Sequence, residues 1–214
     1  MADGHSRAEE EDTVAEPIGQ TRDRMLRTAL ALFGEHGYEG ASVQMIASSM
    51  GLSKAAVSYH FPTKEILLNA VVEPAIADLQ LFLDQMGNER SRPGRRRQAI
   101  AEYVRLMVKH RELLAFLARE GIAGASAPIR REWRMVTDRL EEFFGGDLDD
   151  PAERLYIFAA TRGLAVASAA FPELADDELR EHLHTVAERL LARPRRRPIN
   201  STAASISQSA VGMD

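Results

Sequence analysis

The sequence predicts an all-α protein in which three short N-terminal helices precede a longer helical bundle. Two observations predict it: apolar residues recur every three or four positions in each long segment, and glycine or proline occupies the breaks between segments. With 214 residues, of which 45% are hydrophobic, the chain is able to bury a substantial core.

The N-terminal part is predicted to be a disordered arm followed by a first helix. Residues 1–20 are acidic and poor in large apolar side chains, which is typical of disorder. We expect Thr21 to cap a helix over residues 22–36 and Gly37 to end it. The buried face of this helix is predicted to consist of Leu26, Ala29, Leu30 and Phe33.

Residues 42–64 predict two short helices joined by a glycine turn. The Ser42 hydroxyl is placed to cap the first helix, and the Ser53 hydroxyl is placed to cap the second. Gly51 lies where the first helix must end in a sharp turn. Apolar residues at helical spacing form the buried sides of both helices: Val43, Ile46, Ala47, Met50, Ala56, Val57 and Phe61.

The outward side of the second of these helices is polar or small. Once the apolar positions are assigned to the core, the residues left for it are Lys54, Ala55, Ser58, Tyr59 and His60. Such a surface suits a DNA major groove, because bulky apolar side chains would block approach to the base edges. The formal net charge of −5 is compatible with this, since residues 1–19 hold one Arg and six acidic residues and the rest is neutral.

The residues from Gly37 to Glu65 resemble the N-terminal signature of the TetR (tetracycline-repressor-like) transcriptional regulators. The matching positions are Gly37-Tyr38, Ser42-Val43, Ile46-Ala47, Gly51-Leu52-Ser53-Lys54, Tyr59-His60-Phe61 and Lys64-Glu65. The resemblance implies a helix-turn-helix head whose third helix enters the major groove. Two positions depart from the family pattern: Ala55 stands where glycine is common, and Ser58 stands where tyrosine is common. The shorter Ser58 side chain reaches less far, so Tyr59 is expected to carry more of the phosphate contact.

Carried over residue by residue, the resemblance also implies a set of DNA contacts. Ser42 would donate to a phosphate, and Gln44 and Lys54 would read base edges. Tyr59 and His60 would contact the backbone or base edges, and Lys64 would place its ammonium on a phosphate. The complete predicted DNA-binding set is Ser42, Gln44, Ser53, Lys54, Ala55, Ser58, Tyr59, His60 and Lys64.

The remainder of the chain predicts further helices over residues 64–86, 98–120, 128–144, 151–170 and 176–193. Thr63 is expected to cap the first of these helices, and Pro74 inside it predicts a kink or a break. Residues 87–97 are predicted to be a linker, and the helix that follows is expected to break near residues 109–111. The predicted domains are a disordered arm (1–20), a helix-turn-helix DNA-binding domain (21–67), an effector-binding and dimerisation domain (68–193) and a disordered tail (194–214).

The last two helices are the predicted dimer interface. The helix over residues 151–170 is rich in alanine and glycine, which let two helices approach closely. In the TetR family, the pair of helices at this position forms a four-helix dimer bundle, so the resemblance implies a homodimer. The alternative is that these two helices complete the core of the monomer.

An effector pocket in the C-terminal bundle is predicted from its aromatic residues and from the family layout. The candidates to line it are Tyr103, Met107, Phe116, Trp133, Tyr156 and Phe158. Aromatic residues at helical spacing also fill ordinary cores, so core packing stays open as the alternative for each of them. The expected effector is a small apolar or amphipathic molecule.

The composition argues against several other classes of protein. The sequence contains no Cys, which excludes a disulfide framework and a thiolate metal site and makes the reducing cytoplasm the expected location. We expect no membrane-spanning segment and no membrane partner. His182 and His184 are two positions apart in a helix and point to different faces, so no metal site is predicted. No cofactor motif or catalytic constellation stands out, and an enzyme is not expected.

The residues and the resemblance together predict a homodimeric transcriptional repressor. It is expected to bind a palindromic operator in double-stranded DNA and to be released by a small-molecule effector. Two alternatives stay open. One is a DNA-binding dimer without a small-molecule effector, and the other is a protein-interaction module that has lost operator binding.

Overall fold

The computed structural model describes residues 18–86, 93–145 and 150–192, and every regular element within these ranges is a helix. The predicted all-α fold is confirmed. The helices are α1 (Ile18–Gly40), α2 (Val43–Ser49), α3 (Lys54–His60), α4 (Lys64–Met86), α5 (Pro93–Lys109), α6 (Arg111–Glu120), α7 (Ala127–Phe144), α8 (Pro151–Ala170) and α9 (Asp176–Leu191).

Helices α1, α2 and α3 form the head of the molecule around a small apolar core. Ala29 and Phe33 of α1, Ile46 of α2 and Val57 of α3 are fully buried. Leu26 and Leu30, which we predicted for the buried face of α1, are only partly buried and pack against this core. The head therefore holds together as predicted, with a narrower contact along α1.

The start of α1 differs from the prediction. The helix begins at Ile18, so residues 18–20 form its first turn and Thr21 lies within it instead of capping it. A hydroxyl cap is worth only about 0.5–2 kcal/mol, which the surrounding chain easily overrides. Residues 1–17 and 193–214, predicted to be a disordered arm and tail, lie outside the described residues.

Gly37 bends α1 near its end. Its φ of 73° and ψ of 168° are non-helical, and a short helical turn continues beyond it to Gly40. Glycine reaches this positive φ without steric cost. The predicted end of the helix is therefore a kink, after which the chain turns into α2.

Helix α4 connects the head to the C-terminal body. Thr63 caps it as predicted, since the Thr63 hydroxyl accepts the Ile66 N–H at 3.1 Å. The helix continues through Pro74, so the predicted break is wrong; the proline is exposed, and packing of α4 against α1, α5 and α7 holds the helix on both sides of it. The predicted boundary between residues 67 and 68 lies inside this continuous helix.

Helix α4 is also long and apolar enough to cross a membrane by length and composition, which we did not expect from the sequence. However, 56% of its most apolar window is buried inside the protein. Leu67, Leu68, Val72 and Phe82 are among its buried residues. We therefore assign α4 as a core helix.

The body consists of α5 to α9 packed around the second half of α4. Helix α5 begins at Pro93, so part of the predicted linker is helical; proline suits the first helical turn, where its missing N–H would have no partner. The predicted break near residues 109–111 is confirmed at His110, between α5 and α6. Residues 87–92 lie outside the described residues.

The centre of the body is an aromatic cluster. Tyr103 of α5 stacks on Phe82 of α4, with ring centroids 6.4 Å apart, and lies 5.4 Å from Phe144 of α7. Phe143 and Phe144 pack edge to face at 4.9 Å. Such ring pairs each add about 0.5–1.5 kcal/mol beyond the apolar area that they bury. The cluster joins α4, α5 and α7 into one core.

Candidate nucleic-acid interface

Two serine caps define the helix-turn-helix. The Ser42 hydroxyl accepts the Met45 N–H at 3.2 Å, and the Ser53 hydroxyl accepts the Ala56 N–H at 3.1 Å. Gly51 has a φ of 67°, as the sharp turn between the helices requires. Both predicted caps are confirmed. Because each serine oxygen only accepts in its cap, its own O–H is left to donate to a phosphate.

The outward face of α2 and α3 is open to solvent. Gln44, Lys54 and Ala55 are exposed, and the Lys54 side chain makes no hydrogen bond or ion pair with any residue that the structure describes. The Gln44 amide contacts only Ser48, through a 3.3 Å hydrogen bond from Nε2 to Oγ. These two side chains are therefore free to change partners at a DNA surface.

An aromatic pair lies at the C-terminal end of α3. The Tyr59 ring is 85% exposed and packs edge to face on His60, with ring centroids 5.4 Å apart. His60 is half-buried and also lies 6.4 Å from the Phe61 ring. Ser58 is half-buried, whereas a residue of tyrosine length at its position would reach further out. Tyr59 is thus the most exposed aromatic group on the predicted interface.

Lys64 differs from the other predicted contacts because its ammonium is already bound within the protein. Lys64 Nζ donates to the carbonyl oxygens of Tyr38 at 2.7 Å, Ala41 at 3.2 Å and Glu39 at 3.4 Å. The same nitrogen lies 4.4 Å from the centroid of the Tyr38 ring and 3.7 Å from a Glu39 carboxylate oxygen. Two of these carbonyls lie in the last turn of α1, where C=O groups lack helical partners, and that of Ala41 directly follows the helix, so Lys64 caps it. We call this arrangement the lysine clasp.

The last turn of α1 is also held by the body. Arg119 Nη2 of α6 donates to the Gly34 carbonyl oxygen, and a Cβ added at Gly37 would lie 3.2 Å from a Glu120 carboxylate oxygen. A Cβ added at Gly124 would lie 2.6 Å from the Tyr38 ring, so glycine is required there. Helix α6 and the loop after it thus contact the head directly. We call this contact the α1–α6 junction.

Most of the predicted effector-pocket residues are core residues. Tyr103, Met107 and Phe116 are buried, and the Tyr103 hydroxyl donates to the Thr161 carbonyl oxygen at 3.2 Å; burial raises the Tyr103 pKa. The half-buried Tyr156 hydroxyl donates to the Leu190 carbonyl oxygen at 2.7 Å and joins α8 to α9. None of these four lines a described pocket, and their role as pocket residues stays a prediction. Helical periodicity marks a buried face equally whether a core or a ligand covers it.

Trp133 is the one predicted pocket residue that lines a described pocket. The pocket lies between α6, α7 and α8 and has a volume of about 390 Å³. Three arginines that we did not single out from the sequence also line it: Arg130, Arg134 and Arg162. Arg130 and Arg134 are four residues apart on α7, a spacing that places them on one face and was legible in the sequence.

A larger depression of about 620 Å³ lies between the head and the body. Of the four basic residues that line it, Arg27 is exposed on α1 and the other three are paired. Lys109 Nζ and His110 Nε2 lie 2.6 Å and 2.7 Å from the same Asp78 carboxylate oxygen, and Arg111 is 2.9 Å from Asp176. This groove therefore holds its own ion pairs across α4, α5, α6 and α9.

Phe158, the remaining predicted pocket residue, lies on the outer surface of α8. Its ring is 48% exposed and the Arg162 guanidinium lies 5.3 Å from its centroid. Leu155 and Val166 are exposed on the same helix, and Val186 is exposed on α9. Their exposure leaves an apolar surface on the last two helices, which we call the α8–α9 face.

The fold and the capped, exposed α3 define a class of protein, namely a helix-turn-helix protein with a helical body. Residues 25–71 match the family model for bacterial regulatory proteins of the tetR family. The resemblance to the TetR family is therefore confirmed. Proteins of this family are transcriptional regulators and not enzymes.

Individual relatives agree with this assignment. The HTH-type transcriptional repressor AcnR of Corynebacterium diphtheriae is 30% identical over 101 residues, which are 47% of this chain and 47% of AcnR. The HTH-type transcriptional regulator YerO of Bacillus subtilis is 25% identical over 134 residues, which are 59% of this chain and 45% of YerO. The matched region thus spans about half the length of these curated relatives. A TetR-like regulator from Rhodococcus sp. RHA1 shares the fold, with a TM-score of 0.60 and 22% identity over 83% of this chain and 99% of its own.

Proposed function

We propose that the protein is a homodimeric transcriptional repressor that binds a palindromic operator through α3 and releases it when a small molecule binds the body. The observation that carries this proposal is the exposed side of α2 and α3 with Gln44, Lys54 and Tyr59, which we call the recognition face. Both helices are capped, and Lys54 at the exposed start of α3 has no partner among the described residues. TetR-family regulators bind DNA operators as dimers and respond to small-molecule effectors. The matched repressor AcnR supports the direction of regulation.

Within the interface, we assign a DNA-contact role to each residue according to whether its side chain is already bound within the protein. Gln44 and Lys54 read base edges, since an amide pairs with adenine and an ammonium with guanine. The O–H groups of Ser42 and Ser53 donate to phosphates, as does Tyr59. The remaining members of the proposed DNA surface are Ala55, Ser58 and His60. Lys64 supports this surface through the lysine clasp.

The α8–α9 face supports the proposed homodimer. Leu155, Phe158, Val166 and Val186 are exposed there, and Gly163 has open space at its Cα, which allows a second helix to approach closely. A two-fold axis through this face would present two copies of α3 to DNA, which requires half-sites one helical turn (about 34 Å) apart or a multiple of it. The palindrome follows from that symmetry. Binding of DNA places the protein in the cytoplasm.

A second candidate function is a DNA-binding dimer without an effector. The observation that favours it is the filled core, because Tyr103, Met107 and Phe116 occupy the space where we expected a ligand. The pocket beside Trp133 favours the first candidate, because it is open within the same body. The protein-interaction alternative gains no support from the exposed recognition face.

The experiment that tests the proposal is selection of bound sequences from a random duplex library, with purified full-length protein at a stated moderate salt concentration. We expect enrichment of a palindrome. The matched control is the Lys54→Ala variant, which we expect to enrich a less specific set of sequences. A folded, dimeric protein that enriches no sequence would contradict the proposal and favour the protein-interaction alternative. The selected operator then serves to screen for effectors.

A further inference from the structure

The pocket between α6, α7 and α8 has an apolar wall and a charged rim. Leu114 and Leu117 of α6, Trp133 of α7 and Val166 of α8 provide apolar surface. The volume of about 390 Å³ lies at the lower end of the range of small-molecule sites in proteins. The pocket is thus large enough for a compact ligand with an apolar part.

All charged side chains in the described pocket lining are positive. Arg130, Arg134 and Arg162 line the pocket, and its described lining contains no Asp or Glu. The Arg134 side chain makes no hydrogen bond or ion pair with any described residue. Arg130 uses Nη1 on the Ala123 and Ala125 carbonyl oxygens, which leaves its other N–H groups available.

One carboxylate, that of Glu141, lies beside the pocket arginine Arg162. Glu141 Oε1 is 3.5 Å from Arg162 Nη2, a long separation for a charged pair, and burial raises the Glu141 pKa. Arg162 also lies against the Phe158 ring. Of the three pocket arginines, only Arg162 thus has a carboxylate beside it, and that contact is long. In the larger groove at Asp78, by contrast, Lys109, His110 and Arg111 are all paired.

We propose that this pocket binds a small amphipathic anion, with its apolar part on Trp133 and its carboxylate on Arg134. The planar fork of a guanidinium matches a carboxylate through two parallel N–H···O bonds. Trp133 next to Arg134 in the chain provides the apolar surface for the rest of the ligand. The proposal deepens the effector part of the proposed function and rests on it only for the consequence for DNA binding.

The position of the pocket gives the ligand a route to the head. Leu117 and Gly121 line the pocket, while Arg119 and Glu120, between them on the same turn of α6, contact α1 at Gly34 and Gly37. A ligand that shifts this turn therefore moves the α1–α6 junction. The ligand controls DNA binding only to the extent that it binds the two positions of α6 with different affinity.

The test uses the fluorescence of Trp133, which is the only Trp in the sequence and lies in the pocket wall. The full-length protein is titrated with octanoate and cyclohexanecarboxylate, and separately with octanamide and cyclohexanecarboxamide, which are neutral and similar in shape. We expect the carboxylates to bind about tenfold more tightly than the amides, since hydrogen bonds to charged groups are worth about that factor or more.

Two variants locate the site. Arg134→Gln is expected to weaken carboxylate binding about tenfold and to leave amide binding unchanged. Arg131→Gln is the matched control, because Arg131 is an exposed arginine of the same helix outside the pocket lining, and it should change neither. Circular dichroism of both variants checks that the helix content is unchanged.

Three results would overturn the proposal: no saturable fluorescence response to either carboxylate, equal binding of carboxylates and amides, or equal effects of Arg134→Gln and Arg131→Gln. The proposal would also be overturned if the wild-type protein bound no carboxylate and Arg134→Gln no longer formed a dimer. The pocket arginines would then pair with acidic side chains of a second copy. Carboxylate binding that leaves the selected operator bound would keep the site and refute its role as effector site. A library that enriches no operator would refute the proposed function, while the titration still decides the pocket.

Discussion

Lys54 begins α3 and Lys64 begins α4, but the surroundings of the two ammonium groups differ. Lys54 is exposed, and its side chain makes no hydrogen bond or ion pair with a described residue. Lys64 is 24% exposed and donates to three carbonyl oxygens at the end of α1. The recognition face therefore keeps its cation free, whereas the lysine clasp uses its cation for the fold.

The difference follows from what surrounds each helix start. A cation is unfavourable at a helix N-terminus, because the N–H groups there carry partial positive charge. Lys64 escapes this cost because the C-terminal carbonyls of α1 meet the start of α4 and supply the opposite partial charge. Among the described residues no such partner faces Lys54, and a phosphate or a base edge is left to provide one. Position in a helix is thus not enough to assign a DNA contact.

The largest effect is expected from removal of the core behind the clasp. Phe33 of α1 is fully buried, and its ring lies 5.7 Å from Tyr38 and 5.8 Å from Phe116 of α6. Phe33→Ala should lower the free energy of unfolding by about 3–5 kcal/mol, because it leaves a cavity where α1 meets the body. Urea unfolding followed by circular dichroism measures this change.

Leu81→Ala is the control for Phe33→Ala. Leu81 lies on α4 and is 56% exposed, so its truncation should change the free energy of unfolding by no more than about 0.5 kcal/mol. If the two variants lost equal stability, the α1–α6 junction would not be packed as described here. The contrast between a partnered junction and a free recognition face would then fail.

Removal of the clasp itself comes next. Lys64→Ala should lower the free energy of unfolding by about 1.5–3 kcal/mol, because three carbonyls lose a charged donor. Lys54→Ala is the matched control and should lie within about 0.5 kcal/mol of the wild type. Urea unfolding of both variants measures the difference.

Salt dependence of DNA binding decides whether Lys64 also contacts a phosphate. With the ammonium held by carbonyls, Lys64→Ala should leave the slope of log affinity against log salt unchanged. A slope reduced by about one unit would show that the lysine contacts a phosphate in the complex, as the family resemblance implies. The clasp would then describe only the free protein.

The recognition face is tested by its effect on specificity. Lys54→Ala and Gln44→Ala should each reduce discrimination by about 1–3 kcal/mol at one base pair per half-site, because a base contact is lost. The measurement compares affinity for the selected operator with affinity for single-site variants of it. Equal loss on operator and on random duplex would contradict base reading by these side chains and would leave them as phosphate contacts.

The sequence was sufficient to predict those features that depend on near neighbours. Ser42, Ser53 and Thr63 cap helices, and Gly51 makes its turn, because each acts within three residues of its own position. Helix limits between residues 109 and 170 follow from glycine, proline and periodicity in the same way. The all-α fold was predictable for this reason.

Features that depend on distant segments were not predictable from the sequence. Lys64 is 26 residues from Tyr38, and no local pattern brings the two together. The aromatic candidates Tyr103 and Phe116 carry the same periodicity in a core as in a pocket, and only packing shows which they are. The arginine pocket joins α6, α7 and α8, so its one-sided charge exists only in the folded chain.

The smallest expected effect is a change in the free energy of unfolding at acidic pH, caused by the paired His110 and Asp78. His110 Nε2 lies 2.7 Å from Asp78, beside Lys109. Burial lowers the pKa of His110 below its usual 6.5 and outweighs the attraction of Asp78. Burial raises the pKa of Asp78, but the hydrogen bonds from Lys109 and His110 outweigh it, so the net shift is downward from 3.8.

Stability should therefore fall as the pH falls through 6.5, because below that value the unfolded chain binds a proton at residue 110 that the folded protein resists. Unfolding by urea at a series of pH values measures this loss. His110→Gln retains an N–H donor for Asp78 and should have a flatter profile between about pH 7.5 and about pH 5.5. The exposed His182 provides the control, and His182→Gln should keep the wild-type profile. If His110→Gln kept the wild-type profile, His110 would not be the source of the loss, and the contrast drawn from Lys54 and Lys64 would not extend to the body.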